Sequence, residues 1–90
     1  MSAAKFSPGR LVATPNALAH VSPDELLIAL SRHVRGDWGD CCPEDRAAND
    51  MALADGSRLF SVYHSANRTK FWIITEWDRS LTTVLLPEDY

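Results

Sequence analysis

Residues 58–86, RLFSVYHSANRTKFWIITEWDRSLTTVLL, decide the fold. This stretch contains three runs rich in β-branched and aromatic residues, which are typical of β-strands. The predicted strands are residues 58–65, 69–77 and 81–86. Only the tripeptides ANR and DRS separate them, and connections this short favour an antiparallel meander.

The middle run predicts a strand at the centre of the sheet. Phe71, Ile73 and Thr75 alternate with Trp72 and Ile74, so both faces of this strand are largely apolar. A strand that is apolar on both faces is usually covered on both sides. We therefore expect its two neighbours in the sequence to flank it and other elements to cover it.

A helix is predicted over residues 23–35. Ser22 is the N-cap, Pro23 takes the first helical position, and Glu25 completes a capping box three residues after the cap. Gly36 is a natural terminator just beyond the end. The stripe predicted to face the core consists of Leu26, Leu27, Leu30, His33 and Val34.

A second helix is predicted over residues 43–54, between Pro43 and Gly56. Because the helices precede the strands as a block, the predicted fold class is α+β, with a helical pair packed on a three-stranded antiparallel meander. Residues 10–14 are a candidate fourth strand at one edge. Thr14 as N-cap and Pro15 as first residue then predict a short helical turn.

Length and charge limit the classes of protein that this chain can belong to. Ninety residues make one small domain, predicted over residues 10–90, and residues 1–9 are predicted to be a flexible tail. The net charge is -3, and residues 21–56 carry eight acidic residues against three arginines. Neither half has a basic excess, so broad nucleic-acid binding is not expected.

The sequence predicts a cytoplasmic location. The first twenty residues lack the continuous apolar stretch of a signal peptide, and no segment approaches the ~20 apolar residues of a membrane helix. Cys41 and Cys42 are adjacent, so they cannot staple distant parts of the fold and lack the usual zinc spacing. With no phosphate-binding glycine loop either, we expect no metal and no cofactor.

Three tryptophans are the candidate binding residues: Trp38, Trp72 and Trp77. Trp38 lies in the connection HVRGDWGD between the two predicted helices. It is interpreted either as an anchor that holds this loop on the core or as an aromatic that contacts a partner. Trp72 and Trp77 belong to the middle strand and its end, where they would present an aromatic surface on the exposed side of the sheet.

The strands also carry an enzymatic alternative. Metal-independent RNA cleavage needs a base, an acid and a cation, and His64, Glu76 and Arg79 offer those groups. The competing interpretation is structural, because cross-strand ion pairs and turn residues have the same composition. The two interpretations differ in geometry, since catalysis requires the three side chains to converge in one concavity.

Four segments carry a resemblance to a known family: GRLVATPNAL, HVRGDWGD, EDRAAND and KFWIITEWDRSLTTVLLPEDY. Together they resemble a family of small bacterial proteins, found on plasmids and chromosomes and mostly described as uncharacterised or plasmid-related. This resemblance implies a bacterial, single-domain protein that ends at Tyr90, and it implies no catalytic residues. The order of elements is also similar to that of small ribonuclease toxins.

The sequence therefore leads to two functional expectations. The first is a non-enzymatic protein-interaction module with an unknown protein partner, linked to plasmid or mobile-element biology. The alternative is a metal-independent, RNase-like toxin that uses His64, Glu76 and Arg79 and binds RNA only in that role.

Overall fold

The fold consists of a four-stranded sheet and three α-helices, described over residues 4–90 by a computed structural model. The elements in chain order are β1 (Arg10–Ala13), α1 (Pro15–His20), α2 (Pro23–Val34), α3 (Pro43–Asp55), β2 (Leu59–His64), β3 (Lys70–Thr75) and β4 (Leu81–Leu85). A 3-10 turn, Pro87–Asp89, follows β4. The predicted α+β class is confirmed.

The sheet is mixed and has the strand order β1-β4-β3-β2. The strands β2, β3 and β4 pair antiparallel in sequence order, whereas β1 pairs parallel with β4. The structure thus has three helices and a mixed four-stranded sheet where a helical pair on a three-stranded meander was predicted. Its fourth strand, β1, lies at the candidate edge position, and α1 follows Thr14, where a short helical turn was expected. The helix α1 follows β1 directly because the Thr14 hydroxyl accepts the N–H of Ala17 (3.1 Å) and Pro15 takes the first helical position.

The helix α2 covers one face of the sheet. Its start is the predicted cap, in which the Ser22 hydroxyl accepts the N–H of Glu25. Leu26, Ala29 and His33 are buried, but Leu27 is 66% exposed, so the predicted core stripe was wrong at that position. Leu26, Ala29 and His33 define the face of α2 that meets the sheet, and Leu27 lies outside that face.

The helix α3 lies beside the edge of β2 and is joined to it through a side-chain amide. The Nδ2 of Asn49 donates to the carbonyl of Phe60 (2.6 Å), and the Phe60 N–H donates to Oδ1 of Asn49 (3.0 Å). This amide satisfies the backbone groups that a neighbouring strand would otherwise bind. It explains why the polar residue Asn49 is buried.

Further along the same edge, Gly39 forms a parallel bridge with Val62. The Val62 N–H donates to the Trp38 carbonyl (3.1 Å), and the Asp40 N–H donates to the Val62 carbonyl (2.7 Å). Position 39 must be glycine, because φ is +72° and an added Cβ would lie 2.0 Å from the Val62 carbonyl oxygen. The loop between α2 and α3 is thereby fixed onto the sheet.

Two apolar clusters form the core. The larger one joins α1 and α2 to one face of the sheet and includes Ala17, Val21, Leu26, Ala29, Tyr63, Phe71, Ile73, Val84 and Leu86. The smaller one joins the α2–α3 loop and α3 to β2, and it includes Trp38, Cys41, Ala52, Leu59 and Val62. Both cysteines are free thiols, Cys41 buried and Cys42 exposed.

Part of the predicted flexible tail contacts the domain. Residues 1–3 of that segment lie outside the described residues. The Lys5 N–H donates to the Val34 carbonyl (2.7 Å), and the Phe6 ring lies edge-on to His33 with centroids 5.3 Å apart. Within residues 4–90, no helix has the length and apolar character required to cross a membrane.

Candidate binding groove

The three candidate catalytic residues lie at two opposite ends of the sheet. His64 pairs with Lys70, where β3 begins, whereas Glu76 follows Thr75, where β3 ends. Six residues of extended strand span roughly 20 Å, which is too far for side chains to act on one phosphate. Arg79 lies with Glu76, since its N–H donates to the Glu76 carbonyl. The structure therefore does not bring His64 together with Glu76 and Arg79.

Arg79 serves the structure of the turn after β3. Its guanidinium donates to the carbonyls of Ser57 (2.6 Å), Glu76 (3.1 Å) and Ala52 (2.8 Å). The residue adopts a left-handed backbone with φ +60°. It fastens this turn to the end of α3, where the Ala52 carbonyl also accepts the N–H of Gly56.

His64 lines a separate cleft of about 220 Å³ beside α2. Its Nδ1 lies 2.7 Å from a carboxylate oxygen of Asp40. Two charged neighbours in this cleft are also paired: Arg32 binds Asp37 through two hydrogen bonds, and Glu25 accepts the N–H of Ala66. Each charged or ionisable side chain named in this cleft thus has a partner within the chain, and exposed pairs such as Arg32–Asp37 and His64–Asp40 contribute little to stability.

The three candidate tryptophans occupy three different environments. Trp38 is only 4% exposed, and its Nε1 donates to Asp50 (2.9 Å). This burial is what the loop-anchor interpretation of Trp38 requires. Trp77 is 68% exposed in the turn between β3 and β4. Trp72 is half-buried on the sheet face opposite α2, and it lines a concavity.

This concavity, which we call the aromatic groove, has a volume of about 370 Å³. It is lined by Asp45, Ala48, Asn49, Arg58, Phe60, Trp72 and Tyr90. The helix α3 supplies one wall, β2 and β3 supply the floor, and the end of the chain after the 3-10 turn supplies the other wall. Alternation along the strands places Phe60 and Trp72 on the same side of the sheet.

The aromatic rings of the groove stand at steep angles to each other. The ring centroids of Phe60 and Trp72 are 5.0 Å apart with planes at 67°, and those of Trp72 and Tyr90 are 5.8 Å apart at 72°. Arg58 donates to the Tyr90 hydroxyl (2.9 Å), and its guanidinium carbon lies 5.8 Å from the centre of the Tyr90 ring. Trp72 Nε1 is buried and has no hydrogen-bond partner among the described residues.

On the opposite face of the sheet, His33 is the centre of a buried polar cluster that the sequence did not reveal. Its Nδ1 lies 2.5 Å from the Ser61 hydroxyl and its Nε2 lies 2.9 Å from the Thr75 hydroxyl. Thr75 in turn lies 2.7 Å from the Thr82 hydroxyl, which donates to the Pro8 carbonyl (2.6 Å). We call these groups the histidine network.

The end of this network sets the direction of every hydrogen bond in it. Because Thr82 donates to Pro8, it must accept from Thr75, and Thr75 must then accept from His33. The His33 proton therefore lies on Nε2, and Nδ1 accepts from Ser61. Burial lowers the pKa of His33 to about 4, with the positive charge of Arg79 as the second cause. One ring nitrogen donates and the other accepts, and only the neutral imidazole can do both.

Among residues 4–90, no group of three histidine, cysteine, aspartate or glutamate side chains is arranged to hold a metal ion. Compared with known proteins, the chain matches no protein-family model, no curated protein and no solved structure.

Proposed function

We propose that this chain is a non-enzymatic protein-interaction module whose aromatic groove receives a segment of a protein partner. The observation that carries the proposal is the open concavity of about 370 Å³ lined by Phe60, Trp72 and Tyr90. Elsewhere on the surface, the charged groups that we considered as catalytic are paired within the chain or separated from one another.

The composition of the groove supports this assignment. Tryptophan, tyrosine and arginine are the residue types most enriched among the side chains that dominate binding energy at interfaces. The groove combines Trp72, Tyr90 and Arg58 within one concavity. Clefts of this volume, with mostly apolar walls and a few polar groups, are typical of sites that bind one side chain or a short peptide segment.

The separation of His64 from Glu76 and Arg79 favours an interaction module over the RNase-like alternative. A cytosolic location and a link to plasmid or mobile-element biology remain part of this proposal, the latter through the resemblance to the plasmid-related bacterial family.

A photocrosslinking experiment in the native host tests the proposal. Tyr90 is replaced by p-benzoylphenylalanine, which keeps an aromatic ring at the groove, and the same substitution at Trp77 serves as the positional control. Ala48→Leu fills the groove, whereas Ala47→Leu makes the same change on the adjacent exposed position of α3, outside the groove lining. Both substitutions preserve helix propensity, so the fold is expected to be unaffected.

We expect a discrete crosslinked product from position 90 that persists with Ala47→Leu and disappears with Ala48→Leu. A product that survives Ala48→Leu, or one that forms equally from position 77, would contradict binding in the groove. The absence of any product from position 90 would also count against it.

A further inference from the structure

We propose that the aromatic groove takes the cationic side chain of an arginine or lysine from a basic peptide segment, and that Arg58 occupies this place until the ligand displaces it. This inference rests on the proposed function and names the chemistry of the partner.

The ring geometry suits a cation. A guanidinium or ammonium group is attracted to the face of an aromatic ring when it lies within about 6 Å of the ring centre. The planes of Phe60 and Trp72 meet at 67° and those of Trp72 and Tyr90 at 72°, so the three rings do not form one stacked layer. Tyr90 is 72% exposed, so its ring is accessible to a cation from solution.

Arg58 shows that a guanidinium fits beside the Tyr90 ring. Its central carbon lies 5.8 Å from the centre of the Tyr90 ring, within the range of a cation–π contact. The side chain is exposed and donates one hydrogen bond, to the Tyr90 hydroxyl. The Arg58 side chain can therefore move into solvent without disturbing the core. A cation of the ligand can then contact the Tyr90 ring in its place.

The charges around the groove complement a basic ligand. Asp45 lines the groove itself, and Glu44 precedes it in the exposed first turn of α3. Glu88 lies in the turn before Tyr90, whereas the Asp89 carboxylate of that turn is bound by Thr14, Asn16 and the Leu86 N–H. The two ion pairs found among residues 4–90 are Arg32–Asp37 and His64–Asp40, so the Asp45 carboxylate is in neither. Potentials of this sign attract a basic segment and repel an acidic one.

Because Arg58 competes with the ligand for the site, the proposal predicts tighter peptide binding when Arg58 is removed. A side chain that competes for the site from within the molecule lowers the apparent affinity by the fraction of time that it occupies the site. Removing the positive charge of Arg58 should therefore strengthen the binding of a basic peptide for two reasons. The competing side chain is gone, and so is its electrostatic repulsion of the ligand. A groove that recognised acidic ligands through Arg58 would respond in the opposite direction.

The test is an NMR titration of the full chain labelled with ¹⁵N. The readout is the indole N–H signal of Trp72, assigned by its absence in Trp72→Phe. The probes are blocked pentapeptides Gly-Ala-X-Ala-Gly in which X is arginine, lysine, glutamine or glutamate. One cation–π contact with a nearby carboxylate supports a Kd on the order of tens of millimolar, so each peptide is added to about 100 mM.

We expect the arginine and lysine peptides to shift the Trp72 signal and the glutamine and glutamate peptides to leave it in place. Arg58→Gln should tighten arginine-peptide binding about two- to fivefold, and Asp45→Asn should weaken it by a similar factor. Asp24→Asn removes the same charge from the exposed start of α2 and should change the Kd by less than about 1.5-fold.

Two results would overturn the inference. If the glutamate peptide shifts Trp72 and Arg58→Gln abolishes that shift, the groove binds acidic segments, and the proposed interaction function stands without this partner chemistry. If no peptide shifts Trp72 at about 100 mM, the cation site is wrong. The crosslinking pattern from position 90 then decides separately whether the groove contacts a protein at all.

Discussion

The two faces of β3 offer a comparison within a single strand. On one face, Thr75 belongs to the histidine network, where each side-chain hydroxyl and both imidazole nitrogens have a hydrogen-bond partner and burial is nearly complete. On the other face, Trp72 lines an open groove, and its Nε1 has no partner within residues 4–90. Buried polar groups are normally satisfied, so the first face is an ordinary protein interior, whereas the second leaves one buried N–H group unpaired within residues 4–90.

We expect the largest difference between the two faces in how lowering the pH changes the stability of the fold. His33 has a pKa of about 4 in the folded chain and about 6.5 when unfolded, so the unfolded state binds more protons between these values. Stability should therefore fall as the pH drops from neutral, by about 2 to 3 kcal/mol at pH ~4.5. Urea unfolding at neutral pH and at pH ~4.5 measures this loss of stability.

His33→Gln is the control for the acid effect. Glutamine keeps a polar amide but does not titrate, so its stability should be nearly independent of pH over the same interval. The lowered pKa values of Asp37 and Asp89 add a pH dependence only at and below their ordinary range near 4, outside this interval. A wild-type stability that does not change between neutral pH and pH ~4.5 would refute the description of His33 as neutral and enclosed.

The second comparison uses matched threonines. Thr75→Val keeps the shape of the side chain but leaves the His33 Nε2–H without an acceptor, and it should destabilise the fold by about 2 kcal/mol. Thr83→Val makes the same change on the opposite face of the sheet, on a half-buried residue, and should stay within about 0.5 kcal/mol. Equal losses for the two variants in urea unfolding would remove the distinction between the faces.

The smallest effect on stability is expected at the groove. Trp72→Phe keeps an aromatic ring and removes a buried N–H that lacks a partner, so the free energy of unfolding should change by less than about 1 kcal/mol. Chemical denaturation measures it. A loss of more than about 2 kcal/mol in the free energy of unfolding would mean that the indole N–H contributes to the stability of the fold.

Local signals predicted much of this fold. The Ser22 cap, the prolines that begin each helix and the alternation of Phe71, Trp72 and Ile73 depend on neighbouring residues, and each lies as predicted. The direction of β1 was not predicted, because parallel pairing with β4 depends on how the intervening helices return the chain. Leu27 was misplaced because helix periodicity alone does not decide which edge of an apolar stripe meets the sheet.

The candidate site was predicted only at Trp72. Its face followed from strand alternation, but the groove also needs Asp45, Arg58 and Tyr90, which come from three other parts of the chain. The partners of His33 are equally distant, since Thr75 lies 42 residues further along. Such contacts depend on the register between strands and on how helices dock, and a single sequence does not display either.

The bridge of Gly39 to Val62 and the amide of Asn49 on Phe60 also determine how copies of this protein can associate. Both occupy the backbone groups along the outer edge of β2, so in the described part of the chain the sheet offers one free edge, that of β1. Unpaired strand edges are the templates on which β-rich polymers grow. Pairing through β1 would use the free edge of each molecule at once, so such association ends at two copies and does not extend into a fibre.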